Sequence, residues 1–272
     1  MFHNYPYTDF HEINLDWFLN HFKKMGVGFL DLNEDEGTIK VETIMYERKA
    51  EIYKVTFRPE TEMLSLPVND NVLAPRTNRV TLYDFAQAND YALSFNSGLS
   101  GKYLFNGIEY EDENSEGWYY LIWDNSPCTG FTLHTMPRVT LEPSFDVIKA
   151  VGNNCCPIWS PIIENGTAFD YTVLPTTDAN YDYIIAQPHP RSVLATKGDD
   201  FIFYLFRGRS PYSAGVTYDD MITILTLEAV DNAYNLDGGG SCSCMVSTFP
   251  LTIQNAALTT QGRKIVSCIA CN

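Results

Sequence analysis

Residues 233–246 read AYNLDGGGSCSCMV, a stretch in which an acidic residue is followed by three consecutive glycines. Its opening, 233–236, alternates with the period of two that predicts a short buried strand. Asp237 stands where that strand ends, and Gly238–Gly240 follow directly. Consecutive glycines indicate a backbone that needs a positive φ or a close approach to another group. The stretch therefore predicts a strand that delivers an acidic side chain to a glycine turn.

The glycine turn has two possible uses. Successive amide N–H groups in such a turn form a concave cluster of donors that suits an anion such as phosphate. Ser241 adds a hydroxyl at the rim of this cluster. The alternative is an ordinary connection between two strands, because glycine-rich loops are common turns. These residues alone leave both uses open.

The stretch resembles the NLDGGGS signature of the phosphodiester glycosidase family. Three further blocks resemble the family's pattern in its order, namely PIIENG at 161–166, HPRS at 189–192 and FRGRSPYSAGVT at 206–217. The matches are independent and cover the region from Tyr91 to Val246. The resemblance implies hydrolysis of a sugar-1-phosphate diester at the sugar.

The resemblance also implies roles for residues in the matching blocks. Arginine pairs two phosphate oxygens at once, so the block arginines are expected to hold the leaving phosphate. A carboxylate or a histidine is expected to move protons. Surface ion pairing, hydrogen bonding within a turn and structural packing are the alternatives for these side chains. The expected catalytic set is Asp237, Arg191, Arg209 and His189, and the expected phosphate- and substrate-binding set is Gly238, Gly239, Gly240, Ser241, Asn96 and Asn235.

The chain departs from the family's pattern at three places. Arg207 stands where the family commonly has an aspartate, and the paired phenylalanines expected after Gly98 are absent. The segment after the glycines is one residue longer and carries Cys242 and Cys244. These departures keep a second hypothesis open, in which the fold is retained for binding without turnover.

Composition restricts the class of protein. With 272 residues, 45% hydrophobic and 19% charged, the chain can bury a sizeable core. A net charge of −16 argues against nucleic-acid binding, which depends on lysine and arginine. Abundant carboxylates are compatible with a divalent cation such as calcium without implying it, so cofactor and metal stay unknown. Because no run of ~18 apolar residues occurs, no membrane span is expected.

Seven cysteines leave at least one thiol without an intrachain partner. Buried reduced thiols, a disulfide and a metal site are the alternatives. For the metal, Cys242-x-Cys244 and Cys268-x-x-Cys271 would supply four thiolates, although zinc sites usually space their cysteines by two to four residues.

Residues 1–26 are expected to form a separate attachment segment, followed by one domain over 27–272. A helix is predicted over 15–25, where apolar residues recur at helical spacing. YPYTDFHEINLDW at 5–17 resembles N-terminal segments of phage tail-associated proteins. That resemblance implies a virion protein made in the host cytoplasm, with other tail proteins and a host surface glycopolymer as partners. Homo-oligomerisation is left open.

The hydrophobic pattern predicts an α+β domain with a mixed β-sheet and a few helices. Strands are predicted at 38–41, 43–46, 51–57 and 181–186, and a hairpin joins 193–196 to 201–206 through a KGDD turn. A helix is predicted over 217–229, with Thr217 as its N-cap and Asp220 in a capping box. The two functional hypotheses are a phosphodiester glycosidase acting on teichoic acid or capsule and a non-catalytic structural or receptor-binding protein on the same fold.

Overall fold

The structure is a computed structural model. It describes residues 39–46, 50–59, 63–67, 79–112, 116–124, 132–138, 141–175, 181–210, 213–246, 249–250 and 263–272. The predicted attachment segment with its helix at 15–25 and Cys128 lie outside these residues. They stay predictions of the sequence.

The described residues form short strands and four helices. The strands are β1 Ile39–Tyr46, β2 Ala50–Phe57, β3 Met63–Pro67, β4 Val80–Thr81, β5 Leu93–Asn96, β6 Lys102–Phe105, β7 Ile108–Glu111, β8 Tyr119–Trp123, β9 Leu133–Pro137, β10 Asn154–Ile158, β11 Ser160–Glu164, β12 Thr167–Ala168, β13 Arg191–Lys197, β14 Asp200–Phe206, β15 Asn232–Asn235, β16 Cys244–Val246, β17 Phe249–Pro250, β18 Lys264–Ile265 and β19 Ser267–Cys271. The helices of the described part are α1 Leu82–Ala88, α2 Phe145–Lys149, α3 Tyr181–Ala186 and α4 Tyr218–Leu227.

These strands form three larger sheets and one two-stranded ribbon. The central sheet has the order β1-β2-β14-β13-β15-β11-β12, and the other two are β7-β6-β10-β8-β9 and β17-β16-β5-β19-β3. Strand β18 pairs with β4. The strand pairs in the described part of the chain are antiparallel. With four helices beside the sheets, the predicted α+β class is confirmed.

Aromatic packing joins the central sheet to the sheet that contains β5. Phe203 of β14 stacks on Phe95 of β5 with ring centroids 4.3 Å apart, and Phe57 of β2 meets the same ring edge-on at 5.8 Å. All three side chains are at most 1% exposed, and burying each contributes roughly 2 to 3 kcal/mol. The chain crosses between these two sheets after β15, and the glycine stretch is that crossing.

Two local predictions are confirmed by the structure. Strands β13 and β14 form the expected hairpin, whose last pair is Lys197 with Asp200. Helix α4 begins after Thr217, and its predicted capping box with Asp220 is present. Both features depend on neighbours in sequence, which is why the sequence pattern revealed them.

The strand predicted at 181–186 is wrong, because these residues form helix α3. Ile184 and Ile185 are adjacent and both buried, which a strand with one exposed face does not allow. The helix is also held from outside, since the Arg191 guanidinium donates to the carbonyl of Ile184 and, at 3.2 Å, to that of Gln187. Bonds to such helix-end carbonyls replace the partners that the helix itself lacks.

Candidate active site

The crossing from β15 to β16 carries the acidic residue of the glycine stretch. The Leu236 amide donates to the Ser192 carbonyl at 2.9 Å, which continues the pairing of the central sheet. The next amide, that of Asp237, donates to the Ser97 carbonyl at 3.0 Å, beside the end of β5. A 3₁₀ turn over Gly239–Ser241 follows. Asp237 therefore lies where the backbone passes from one sheet to the other.

Asn96 holds the crossing from β15 to β16 in place through side-chain hydrogen bonds. Its Nδ2 donates to the Asp237 carbonyl at 2.7 Å, and its Oδ1 accepts from the Ser192 hydroxyl at 2.8 Å and from the Ser243 amide at 3.0 Å. The side chain is 1% exposed. The sequence assigned Asn96 to substrate binding, whereas the structure places it beneath the site with both polar ends bonded to protein.

Asn235 is likewise buried beneath the turn. It is fully buried, and its Nδ2 donates to the Tyr218 hydroxyl at 2.8 Å. The Ser160 hydroxyl donates to the same oxygen at 3.1 Å. Among the described residues, the Asn235 Oδ1 has no hydrogen-bond partner. The structure thus places this residue in a buried polar cluster with Tyr218 and Ser160.

The Asp237 carboxyl titrates close to neutrality. Partial burial raises its pKa to about 6, and hydrogen bonds from the Ser241 hydroxyl and the Gly238 amide together with the Arg263 charge oppose that rise. The negative charge of Glu116 adds to the rise. A carboxylate with this pKa is mostly ionised at pH 7 and can still take up a proton, which is the property of a general base.

The glycine amides are arranged differently from the expected three-donor cluster. The Gly239 amide donates to the Pro190 carbonyl at 2.8 Å, and the Gly238 amide bonds to the Asp237 carboxylate. These amides hold the turn and the carboxylate in place. The expected phosphate cradle therefore loses two of its three backbone donors, because the Pro190 carbonyl and the Asp237 carboxylate already accept from them.

Arg191 is buried in the protein. It is 2% exposed, its Nε donates to the Val216 carbonyl at 3.4 Å, and its guanidinium lies over the Tyr218 ring at 5.5 Å. Together with the bonds to the end of α3, these contacts engage both Nε and Nη2. Loss of hydration lowers the pKa of Arg191. Arg191 therefore fixes α3 against α4.

Arg209 lies on the exposed side of the same region. Its Nη2 donates to the Tyr183 hydroxyl at 2.8 Å and to the His189 Nδ1 at 3.1 Å. A Cβ built on Gly239 would lie 3.4 Å from both Nη atoms, so the guanidinium rests against the glycine turn. The structure thus brings Arg209 to the turn that carries Asp237.

His189 is neutral at ordinary pH. Burial and the charges of Arg191 and Arg209 lower its pKa to about 4. Its Nε2 pairs with the Tyr183 carbonyl at 3.0 Å, and the two rings lie 4.2 Å apart. A histidine that resists protonation this strongly is poorly suited to donate a proton near neutral pH.

Three site residues escaped the sequence interpretation, namely Tyr183, Glu116 and Arg263. Tyr183 falls in the segment that was predicted as a strand, and Glu116 and Arg263 lie outside the matching blocks. No spacing signal reveals them, because Glu116 and Arg263 act on Asp237, and Tyr183 contacts Arg209, only in the folded chain. Arg207, the unusual residue of the third block, forms an ion pair with Glu51 at 2.7 Å, so its charge is compensated locally.

The described residues contain no group of three or more histidine, cysteine, aspartate or glutamate side chains arranged to hold a metal ion. The six described cysteines are buried, and Cys242, Cys244 and Cys268 are free thiols, so within these residues neither the CxC nor the CxxC pair forms a disulfide, and the two pairs form no four-thiolate site. Within the same residues, no helix is long and apolar enough to cross a membrane.

Solved structures share this fold. An α+β protein with a carboxylate of raised pKa on a turn and an exposed arginine packed against that turn is equipped to act on an anionic substrate. The catalytic domain of zebrafish N-acetylglucosamine-1-phosphodiester alpha-N-acetylglucosaminidase, auto-inhibited by its pro-peptide, superposes with a TM-score of 0.64 at 13% identity, covering 88% of this chain and 84% of that one. A hypothetical protein from Synechocystis gives 0.64 at 13% identity, over 88% of this chain and 62% of that one.

The family model for phosphodiester glycosidases matches residues 131–271, just over half of the chain. The chain belongs to the phosphodiester glycosidase family. No curated protein matches the chain. Membership supports a hydrolase that acts on phosphodiester-linked sugars.

Proposed function

We propose that this protein hydrolyses a sugar-1-phosphate diester linkage in a host surface polymer such as teichoic acid or capsule. The observation that supports the proposal most is the placement of Arg209 against the turn that carries Asp237. This reaction has two requirements. An exposed arginine must bind the phosphate, and an ionisable carboxylate must lie near the anomeric carbon of the sugar. Family membership supplies the reaction class.

In the proposed reaction, Arg209 neutralises the phosphate and Asp237 acts as general base. A water oxygen forms a bond to the anomeric carbon while the bond from that carbon to the phosphate oxygen breaks. The Asp237 carboxylate takes the proton of the water, and the phosphate leaves as a monoester with both electrons of the broken bond. Partial burial favours this proton transfer, because it raises the pKa of Asp237 to about 6.

The test is incubation of the purified protein with a sugar-1-phosphate diester, followed by measurement of released sugar. Arg209→Ala should reduce release on the order of a hundredfold, as loss of a donor to developing charge does in other enzymes. Arg58→Ala is the matched control, since Arg58 is an exposed arginine paired with Asp200 at 2.6 Å. The proposal fails if no sugar is released by the parent, or if the Arg209 and Arg58 variants retain equal rates.

We further propose that residues 1–26 attach the protein to a phage tail. This proposal rests on the resemblance of residues 5–17 to N-terminal segments of phage tail-associated proteins. Deletion of 1–26 should leave sugar release intact and prevent incorporation into virions. Normal incorporation of the truncated protein would refute the attachment role.

The second candidate function is a non-catalytic virion structural or receptor-binding protein on the same fold. Two observations favour it, namely the hydrogen bonds that the Gly238 and Gly239 amides already make to protein acceptors and the arginine at position 207. This candidate predicts that the purified protein binds a phosphate-containing surface polymer and releases no sugar from it. Binding together with turnover would exclude it.

A further inference from the structure

We propose that Tyr183 and His189 are positioning residues that together hold the Arg209 guanidinium against the glycine turn, and that His189 transfers no proton. This inference rests on the proposed function in one respect, since Arg209 is taken to bind the substrate phosphate. It changes the role expected for His189 from the sequence, and it adds a tyrosine that no matching block contains.

The contacts form a closed ring. Arg209 Nη2 donates to two acceptors, the Tyr183 hydroxyl at 2.8 Å and the His189 Nδ1 at 3.1 Å. The two acceptors are fixed to each other, because the His189 Nε2 pairs with the Tyr183 carbonyl at 3.0 Å. Two acceptors on one nitrogen set both its distance and the plane of the guanidinium.

Both acceptors stand on anchored backbone. His189 and Val216 exchange amide–carbonyl bonds of 3.1 and 3.0 Å, which fix the histidine beside the start of α4. Tyr183 stands on α3, whose end is held by the buried Arg191. Because both acceptors are held beside helices, their hydrogen bonds restrict the movement of the exposed Arg209 side chain.

The ring also determines which nitrogen of His189 carries the proton. A guanidinium only donates, so the Nδ1 that it contacts must accept. The Nε2 must then carry the hydrogen and donate to the Tyr183 carbonyl. Both ring nitrogens are thereby engaged, and neither is left to exchange a proton with substrate. The lowered pKa of His189 agrees with this neutral form.

Backbone geometry supports a functional reason for the position of Arg209. The φ of Arg209 is 54°, which lies in the left-handed region that residues other than glycine, asparagine and aspartate rarely adopt. Strained backbone of this kind persists where the surrounding structure forces it and is concentrated at functional sites. Opposite the guanidinium stands Gly239, where a Cβ would lie at contact distance, 3.4 Å, from both Nη atoms.

Matched substitutions separate positioning from proton transfer. His189→Asn keeps an acceptor near the Nδ1 position, whereas His189→Gln places its amide near Nε2 and loses that acceptor. Tyr183→Phe removes the other acceptor. We expect His189→Asn to stay within about threefold of the parent, and His189→Gln and Tyr183→Phe to raise KM roughly tenfold with kcat little changed, as loss of one bond to a charged group predicts. Equal and large losses of kcat in both His189 variants would overturn the proposal.

A second readout is independent of turnover. The protein has five histidines, so selective ¹⁵N labelling gives few signals, and His189→Asn identifies the relevant pair. We expect a protonated Nε2 and an unprotonated, hydrogen-bonded Nδ1, and we expect Arg209→Ala to shift the Nδ1 signal while the other histidines stay unchanged. An unshifted Nδ1, or a proton found on Nδ1, would overturn the inference even in an active enzyme. A correct tautomer in a protein that releases no sugar would instead reject the proposed function alone.

Discussion

Asp237→Asn should make the protein more stable at alkaline pH while removing its activity. Asparagine keeps the shape of the side chain and removes the partly buried charge. The folded protein holds the proton on Asp237 more tightly than the unfolded chain does, because its pKa is raised from 3.8 to about 6. The stability that the parent gains from this tighter proton binding is therefore complete below about pH 4, and it is lost as the pH rises through about 6.

The size of the effect follows from that shift. About two pKa units at ~1.36 kcal/mol each give an upper value of roughly 3 kcal/mol above pH 7. The asparagine oxygen can accept only part of the bonding that Ser241 and Gly238 give to the carboxylate, and the lost bond costs about 1 kcal/mol. The net gain is about 2 kcal/mol at pH 8, or roughly 4 to 8 °C in the midpoint of thermal unfolding.

The assay is thermal unfolding of the parent and the variant from pH 4 to pH 8, with sugar release measured on the same samples. The stability difference should vanish or reverse near pH 4, and release at pH 7.5 should fall at least a hundredfold. Asp170→Asn is the control of opposite sign, because hydrogen bonds from Thr172 lower the pKa of Asp170. A variant that is less stable than the parent at pH 8, or a difference that does not change with pH, would refute the reasoning.

Other substitutions test the turn and its supports. Gly239→Ala, at φ 62° and 3.4 Å from the guanidinium, should cost about 1 kcal/mol in unfolding free energy and displace Arg209, so turnover falls more than stability. Gly238→Ala should mainly cost stability, about 1 to 3 kcal/mol by denaturant unfolding, because its Cβ would lie 2.9 Å from the Pro190 carbonyl oxygen. Arg209→Gly should be about 1 kcal/mol more stable than Arg209→Ala in the same assay, since glycine relieves the left-handed backbone, and equal stabilities would contradict that strain. Asn96→Ala should cost about 3 kcal/mol by leaving buried partners unsatisfied, and a loss below 1 kcal/mol would contradict its fastening role.

Features set by near neighbours were predictable from the sequence. The β13–β14 hairpin is closed by its own KGDD turn, and the capping box of α4 lies within four residues. The three consecutive glycines predicted a backbone with a positive φ or a close approach, and Gly239 adopts a φ of 62°. The family followed from blocks read in order along the chain. Each of these depends on local conformation or on residue identity, which the linear order contains.

The surroundings of the candidate site residues were decided by tertiary structure. Asn96 reaches Asp237 across 141 positions, and nothing in the local pattern at either place shows that contact. Helix α3, predicted as a strand, has at its end a partner that its own sequence does not show, since Arg191 bonds the carbonyls there. The pKa of Asp237 depends on how much water the folded chain excludes. Burial and partners far along the chain exist only after folding, so the sequence alone determined the family and the turn, and the tertiary structure decided the burial, the hydrogen-bond partners and the pKa values of the candidate site residues.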